Sequence, residues 1–199
     1  MDTPQLIAVA AGLGWASGLR LYAVVFLTGL AGYLGWVELP QGLQLLQSWP
    51  VLAASGGMLL VEFLADKVPM VDSLWDAVHT LVRIPAGAAL AASVFGWDNA
   101  TAATIAALLG GTLAATAHAA KASTRAAVNT SPEPFSNIAL SLAGDAIVPA
   151  MLWLSWSHPW LFLAGLLVAL LIMALLIRSL ARFARALWLR RSTGGPNAA

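Results

Sequence analysis

Residues 62–83 read EFLADKVPMVDSLWDAVHTLVR, a charged stretch between two apolar segments that are long enough to enter a bilayer. On a helix, four ionisable side chains of this stretch fall at i, i+4, i+7 and i+11, which is a single face: Asp72, Asp76, His79 and Arg83. Charge at membrane depth is costly, so such residues usually face a protein interior, a water-filled cavity or the membrane boundary. The stretch therefore predicts an amphipathic helix with a titratable face.

The composition excludes an ordinary soluble domain. Of the 199 residues, 60% are hydrophobic and 10% are charged, whereas a soluble domain carries about 25% charged residues. Several apolar runs are long enough to cross a hydrocarbon core of about 30 Å. We predict a single all-α, polytopic membrane domain over residues 1–191 and a disordered tail at 192–199. The chain has no cysteine, which excludes disulfides, thiolate metal sites and cysteine nucleophiles.

The first apolar run, residues 4–36, is too long for one crossing. As one straight helix it would rise roughly 48 Å, and the sequence Ser17-Gly18-Leu19-Arg20 interrupts it. We predict a short half-helix at about 4–17, either re-entrant or lying in the interface, followed by a span at about 20–37. No basic residue precedes the apolar run, so we expect no cleavable signal peptide.

Five more spans follow, for a total of about six. A short interfacial turn lies at 41–49, and the spans are predicted at 50–65, about 70–95, 100–119, 138–156 and 161–177. The outer loops then hold Glu38, Asp98 and His158 but no Lys or Arg, so the positive-inside rule predicts that both termini are cytoplasmic. Five tryptophans fit a belt at the outer interface: Trp36, Trp49, Trp97, Trp156 and Trp160.

An internal repeat is also indicated. A Gly-Gly pair followed ten residues later by a lysine recurs after 54 residues: Gly56-Gly57 with Lys67, and Gly110-Gly111 with Lys121. Each pair lies in an apolar span, and each lysine opens a polar segment that leads to another span. We predict parallel repeat units at about 50–98 and 100–157. In the second unit, four polar side chains again share one helical face: His118, Lys121, Arg125 and Asn129.

Three motifs occur in order along the chain: SGLR, then EFxADKxPxxDxxWDxxHTxxR, then HxxKAxTRAxxNTSPEPFSN. In this combination the sequence resembles a family of small bacterial integral membrane proteins of unknown function, DUF4126, from about Gly14 to Asp145. The resemblance implies a location in the bacterial inner membrane. It implies no activity, and no functional residue is carried over from it.

The candidate site collects polar side chains that we expect on the cytoplasmic side. One interpretation is a vestibule or binding site for an ion, because proline breaks flank the charged segments and interrupted helices often line transporter sites. The alternative is a solvated loop face, or structural pairing such as Arg20 with Glu62. Asp145 requires a partner from another helix. The candidate residues are Arg20, Glu62, Asp66, Lys67, Asp72, Asp76, His79, Arg83, His118, Lys121, Arg125, Asn129, Glu133, Asn137 and Asp145.

We interpret the chain as a small transporter or channel for an ionic solute or a lipid phosphate, with the charge sign of the solute open. The alternatives are an enzyme at the cytoplasmic face, with His79 and an adjacent Asp as acid–base pair, and a partner-docking protein. His79 and His118 with nearby carboxylates leave a metal site open, although no motif such as HExxH occurs. We expect the lipid bilayer and a homo-oligomer as partners, and no cofactor or nucleic acid.

Overall fold

The computed structural model describes residues 1–68, 70–96, 98–129 and 135–193, except for the side chains of residues 184 and 186–193. It confirms an all-α chain: no strand occurs in this described part. A 3₁₀ helix spans Gln41–Gln47. The α-helices are α1 Thr3–Tyr33, α2 Trp49–Ala65, α3 Val71–Ser93, α4 Ala100–Val128, α5 Phe135–Ser157 and α6 Pro159–Thr193. The predicted tail at 192–199 lies almost wholly outside the described residues.

The polytopic membrane class is confirmed, and the predicted count of six spans is approximate. Within the described residues, four helices are long and apolar enough to cross a membrane: α1, α4, α5 and the Pro159–Phe183 part of α6. A fifth is obtained if the 3₁₀ helix and α2, which meet at a bend of 69°, form one broken span. The predicted third span, α3, is not among them; it carries the charged residues Asp72, Asp76 and Arg83.

Helix α1 folds back on itself at Arg20. The backbone of Arg20 leaves the helical region, with φ −148° and ψ 85°. Gln5 and Ala31 nevertheless line the same cavity of about 580 Å³, beside Trp153 of α5. Since the 26 residues between Gln5 and Ala31 would rise roughly 39 Å in a straight helix, the two halves of α1 must run in opposite directions. The predicted break is therefore present, two residues after Gly18.

Of the two placements predicted for the first half of α1, re-entrant or in the interface, the structure disagrees with the second. This half lies inside the bundle rather than in an interface, with Leu13, Trp15 and Ala16 at most 2% exposed. It also begins at the end of the molecule where α5 meets α6, because Gln5 donates a hydrogen bond of 2.8 Å to the carbonyl of Trp156. The described part of α6 runs from that end to the opposite one. The side of the membrane on which each terminus lies stays a prediction, and cysteine labelling tests it.

Small residues make the path of α1 possible. A Cβ added to Gly14 would lie 2.6 Å from the Cα of Gly110, and one added to Gly18 would overlap the carbonyl oxygen of Ala114. Glycines thus let α1 and α4 approach backbone to backbone, as small residues do between membrane helices. Gly87 joins this contact from α3, since its Cβ would lie 2.7 Å from that of Ala114.

Two sequence patterns concern the surface of this bundle. Trp36, Trp49 and Trp160 are each more than 70% exposed, as a belt at one interface requires, while Trp97 lies outside the described residues. The internal repeat, a separate sequence pattern, stays a prediction. Its equivalent glycines have different neighbours: a Cβ on Gly110 would overlap the side chain of Ala91, whereas one on Gly56 would lie 3.0 Å from the ring of Phe26.

The fold-back of α1 predicts which residues share a side of the membrane. Single cysteines at Thr3 and Gln44 should react with a membrane-impermeant maleimide from one side, and a cysteine at Ser73 should react from the other. All three positions are exposed, and the chain supplies no cysteine background. The measurement compares right-side-out with inverted vesicles. Labelling of Thr3→Cys and Ser73→Cys from the same side would contradict the path described for α1.

The close approach of α1 and α4 predicts an intolerant glycine. Gly18→Leu should lower the free energy of unfolding by about 1–3 kcal/mol or more, because the new side chain has no room against Ala114. Gly57→Leu is the matched control, since its Cβ meets nothing. Unfolding of both variants in detergent micelles would be followed by circular dichroism. Equal stability of the two variants would show that α1 and α4 are not in tight contact at Gly18.

Candidate functional site

The charged residues of the chain fall into two groups. Five of its ten Lys and Arg residues lie in α6, at positions 178, 182, 185, 190 and 191. The other five form ion pairs with five of the nine acidic residues, and all ten residues belong to one connected network that we call the ion-pair cluster: Arg20, Glu62, Asp66, Lys67, Asp72, Asp76, Arg83, Lys121, Arg125 and Asp145. With five acids and five bases, the cluster has no net formal charge.

Asp66, in the link after α2, lies at the centre of the cluster. Its side chain is fully buried, and one oxygen, Oδ2, lies within 3.1 Å of three cations. These are Arg20 from α1 at 2.9 Å, and Lys121 and Arg125 from α4 at 3.1 and 3.0 Å. The chain reverses between α2 and α3, with Met70 at φ 71°. Asp66 thereby lies close to the first turns of α3.

Helix α3 brings its predicted titratable face to the same interior. Asp76 Oδ1 lies 2.6 Å from Arg83 and 3.1 Å from Lys121. Arg83, fully buried, also donates to Glu62 of α2 at 2.6 Å. Asp72 lies 3.4 Å from Arg125 and accepts hydrogen bonds from the amide of Asn129. The spacing that places these acids on one helical face thus places them against α4.

Asp145 of α5 has the partners from other helices that its position requires. Its carboxylate lies 3.0 Å from Arg20 and 3.4 Å from Lys67. Ser141, one turn earlier in α5, accepts hydrogen bonds from Arg20 at both its hydroxyl and its carbonyl oxygen. Arg20 therefore joins α1, the α2–α3 link and α5 at the level where α1 folds back.

The two histidines are both held by hydrogen bonds. Arg83 can only donate to Nδ1 of His118, at 3.3 Å, so Nε2 must carry the proton that points to the hydroxyl of Thr80 at 2.7 Å. That hydroxyl in turn donates to the carbonyl of Asp76. His79 stacks on Trp75, donates from Nδ1 to the carbonyl of that residue, and shares a hydrogen bond of 3.2 Å between Nε2 and the hydroxyl of Tyr22. The hydrogen bond from Arg83 requires that the ring of His118 is neutral in this arrangement.

These contacts bear on the enzyme and metal interpretations. Both ring nitrogens of His79 are occupied by Tyr22 and Trp75, so the structure does not assemble an acid–base pair of His79 with an adjacent Asp. Among the described residues, no group of three or more His, Asp and Glu side chains is arranged to hold a metal ion. The carboxylates of the cluster instead face arginine and lysine.

Most of the predicted site residues come together. Ten form the cluster, His118 and Asn129 hydrogen-bond to it, and His79 lies beside it. Asn137 is 1% exposed, and neither its amide nitrogen nor its oxygen has a hydrogen-bond partner among the described residues. Glu133 lies outside the described residues. Sequence reasoning missed Ser141, Tyr22 and Thr80, although Ser141 precedes Asp145 by one helical turn and Tyr22 follows Arg20 by two residues.

Comparison with known proteins adds the family. The family model described as "Domain of unknown function (DUF4126)" matches residues 7–179, which cover every described member of the cluster. The chain belongs to this family. The match confirms the resemblance carried by the three sequence motifs. No curated protein and no solved structure matches the chain.

The ion pair between Arg83 and Glu62 predicts that the effects of these two residues on stability are strongly coupled. Arg83→Met would leave Glu62 and Asp76 buried without their shared cation, so the free energy of unfolding should fall by about 3–5 kcal/mol. Adding Glu62→Gln restores the charge balance and should recover part of that loss. Arg182→Met, at an exposed position of α6, is the control. Unfolding in detergent measures these proteins and the single variant Glu62→Gln, which completes the double-mutant cycle. If the two losses simply added, the pair would not be coupled.

Proposed function

We propose that this DUF4126 protein is a small membrane transporter in which the ion-pair cluster engages an ionic solute. The observation that carries the proposal is the position of the cluster. Ten ionised side chains are gathered around the break of α1 at Arg20, between helices that are otherwise apolar. Ionisable residues inside a membrane domain mark substrate and ion pathways by default, and broken helices mark transporter binding sites.

The carboxylates that several cations share favour a transporter rather than a permanently open channel. Three cations converge on one oxygen of Asp66, and Asp76 lies between three cations as well. In such a cluster a cation can move from one carboxylate to another with little change in the number of ion pairs. This allows the cluster to have two alternative arrangements. A solute ion that competes for Lys121 or Arg125 would shift the balance between those arrangements.

The proposal includes the location and the assembly of the protein. We place the protein in a bacterial inner membrane, with the cluster towards the cytoplasm, because the arginines of α6 lie at the far end of that helix from Pro159 and basic residues favour the cytoplasmic side. Six helices make a small transport unit, so a symmetric homo-oligomer is the proposed assembly. The bilayer is the surrounding partner.

The test is ion flux into liposomes. Protons, Rb⁺, chloride and inorganic phosphate would each be offered to the reconstituted protein. The variant Asp76→Asn with Lys121→Gln removes one acid and one base that lie 3.1 Å apart, so the cluster stays neutral. We expect at least one ion to cross in the wild type and its flux to fall to the level of protein-free liposomes in the double variant.

The control is Arg182→Gln, which changes an exposed charge outside the cluster and should keep the flux. Circular dichroism would verify that the double variant is folded. No flux of any of these ions, or full flux in the folded double variant, would overturn the proposal.

A further inference from the structure

An elongated cavity lies beside the ion-pair cluster, between α1, α4, α5 and α6. Its volume is about 400 Å³. One end is formed by Arg20, Lys121 and Arg125, and the other reaches Met151 of α5 and Gly165 of α6. We call this cavity the α5–α6 slot. From Leu176 to Gly165 the wall follows α6 for roughly 16 Å, so the slot is long enough to take an extended chain.

The slot is polar at one end only. Its walls are mainly aliphatic side chains such as Ile147, Ile172 and Met173, and no acidic side chain of the described residues lines it. Ile147 and Ile172 are also about half exposed on the outside of the bundle, so the slot is open to the surrounding lipid. The cavity therefore combines a cationic end with an apolar length.

Buried N–H donors at the cationic end indicate which kind of ligand binds there. Three lining residues carry a buried N–H with no hydrogen-bond partner in the described structure: Trp15 at Nε1, and Arg20 and Arg125 at Nη1. Each side chain is at most 3% exposed. The two Nη1 atoms lie 2.9 and 3.4 Å from the carboxylates of Asp66 and Asp72, which pair with them as ions. Trp15 Nε1 is therefore the donor without an acceptor among the described residues at this end, and a buried donor of this kind is costly unless an acceptor reaches it.

We infer that the α5–α6 slot binds a single-chain amphiphile with a phosphate head group. The head would replace carboxylates of the ion-pair cluster as acceptor for Arg20, Lys121 and Arg125, and three cationic donors together favour a phosphate monoester over a singly charged carboxylate. The alkyl chain would lie along α5 and α6. The role of this molecule as the transported solute rests on the proposed function, but its binding does not.

Glycine 165 provides a variant that fills the slot without disturbing the fold. A Cβ at Gly165 would have no neighbour within 4 Å, so Gly165→Phe should place its ring in the cavity. Gly57→Phe is the matched control, because Gly57 has equally open surroundings on α2, outside the slot. Neither residue belongs to the ion-pair cluster.

The experiment measures binding of dodecyl phosphate to the full chain in a non-ionic detergent, from the rise of the unfolding temperature with ligand concentration. We expect wild type and Gly57→Phe to bind equally, and Gly165→Phe to bind at least about tenfold more weakly. Dodecanol, dodecanoate and inorganic phosphate should each bind more weakly than dodecyl phosphate. Dodecanol tests the need for a charged head group, dodecanoate tests the need for a phosphate, and inorganic phosphate tests the need for the alkyl chain.

Several results would overturn the inference. Equal binding of dodecanol would show that the cations do not read the head group, and equal binding of dodecanoate would show that the slot takes a carboxylate. Unchanged affinity in Gly165→Phe would place the ligand elsewhere. If that variant proved unstable without ligand, Gly165→Leu would replace it. Binding without ion flux would sustain this inference and defeat the transport proposal, and flux without binding would do the reverse.

Discussion

Ionised groups removed from water need partners inside the protein, and this requirement governs the interior of the molecule. The cost of burying an unpaired charge is far larger than the stability of a folded chain. Asp66 meets the requirement for three helices at once, because its carboxylate faces cations from α1 and α4 at the point where α2 ends. The helices must therefore pack so that this one side chain is surrounded, and their relative positions follow.

The glycines are the steric counterpart of that electrostatic constraint. Arg20 can reach Asp66 and Asp145 only if the backbone of α1 lies deep between α4 and α5. Gly14 and Gly18 allow this depth, since any larger residue would meet the α4 backbone. In lipid, where apolar burial gives helices little reason to associate, such close packing and the ion pairs together supply the cohesion. Charge and small size thus act on the same helix pair.

Local patterns in the sequence predict much of this arrangement. The i, i+4 spacing of Asp72 and Asp76 correctly places both on one buried face, and the run around Gly18 and Arg20 indicates a break in α1. The direction of the first half of α1 could not be predicted in the same way. It depends on contacts with residues about a hundred positions later, which no local pattern encodes.

The candidate site was also only partly predictable, because local sequence patterns do not encode long-range contacts. Charged residues stand out in an apolar chain, so ten members of the cluster were identified individually. Their pairing was not, because Arg20 reaches Asp145 across 125 positions. Ser141, Thr80 and Tyr22 were missed because a hydroxyl in an apolar helix is common and acquires its role only from the charged group beside it. The uncharged members of such a site become visible only in three dimensions.

The position of α1 has a consequence for how the protein is made. Its first half is synthesised before α4, yet the surface that receives it includes Gly110 and Ala114 of that helix. While the ribosome adds the intervening residues, Arg20 has none of the acidic partners that neutralise it in the finished bundle. This segment can therefore take its final place only after α4 has been made.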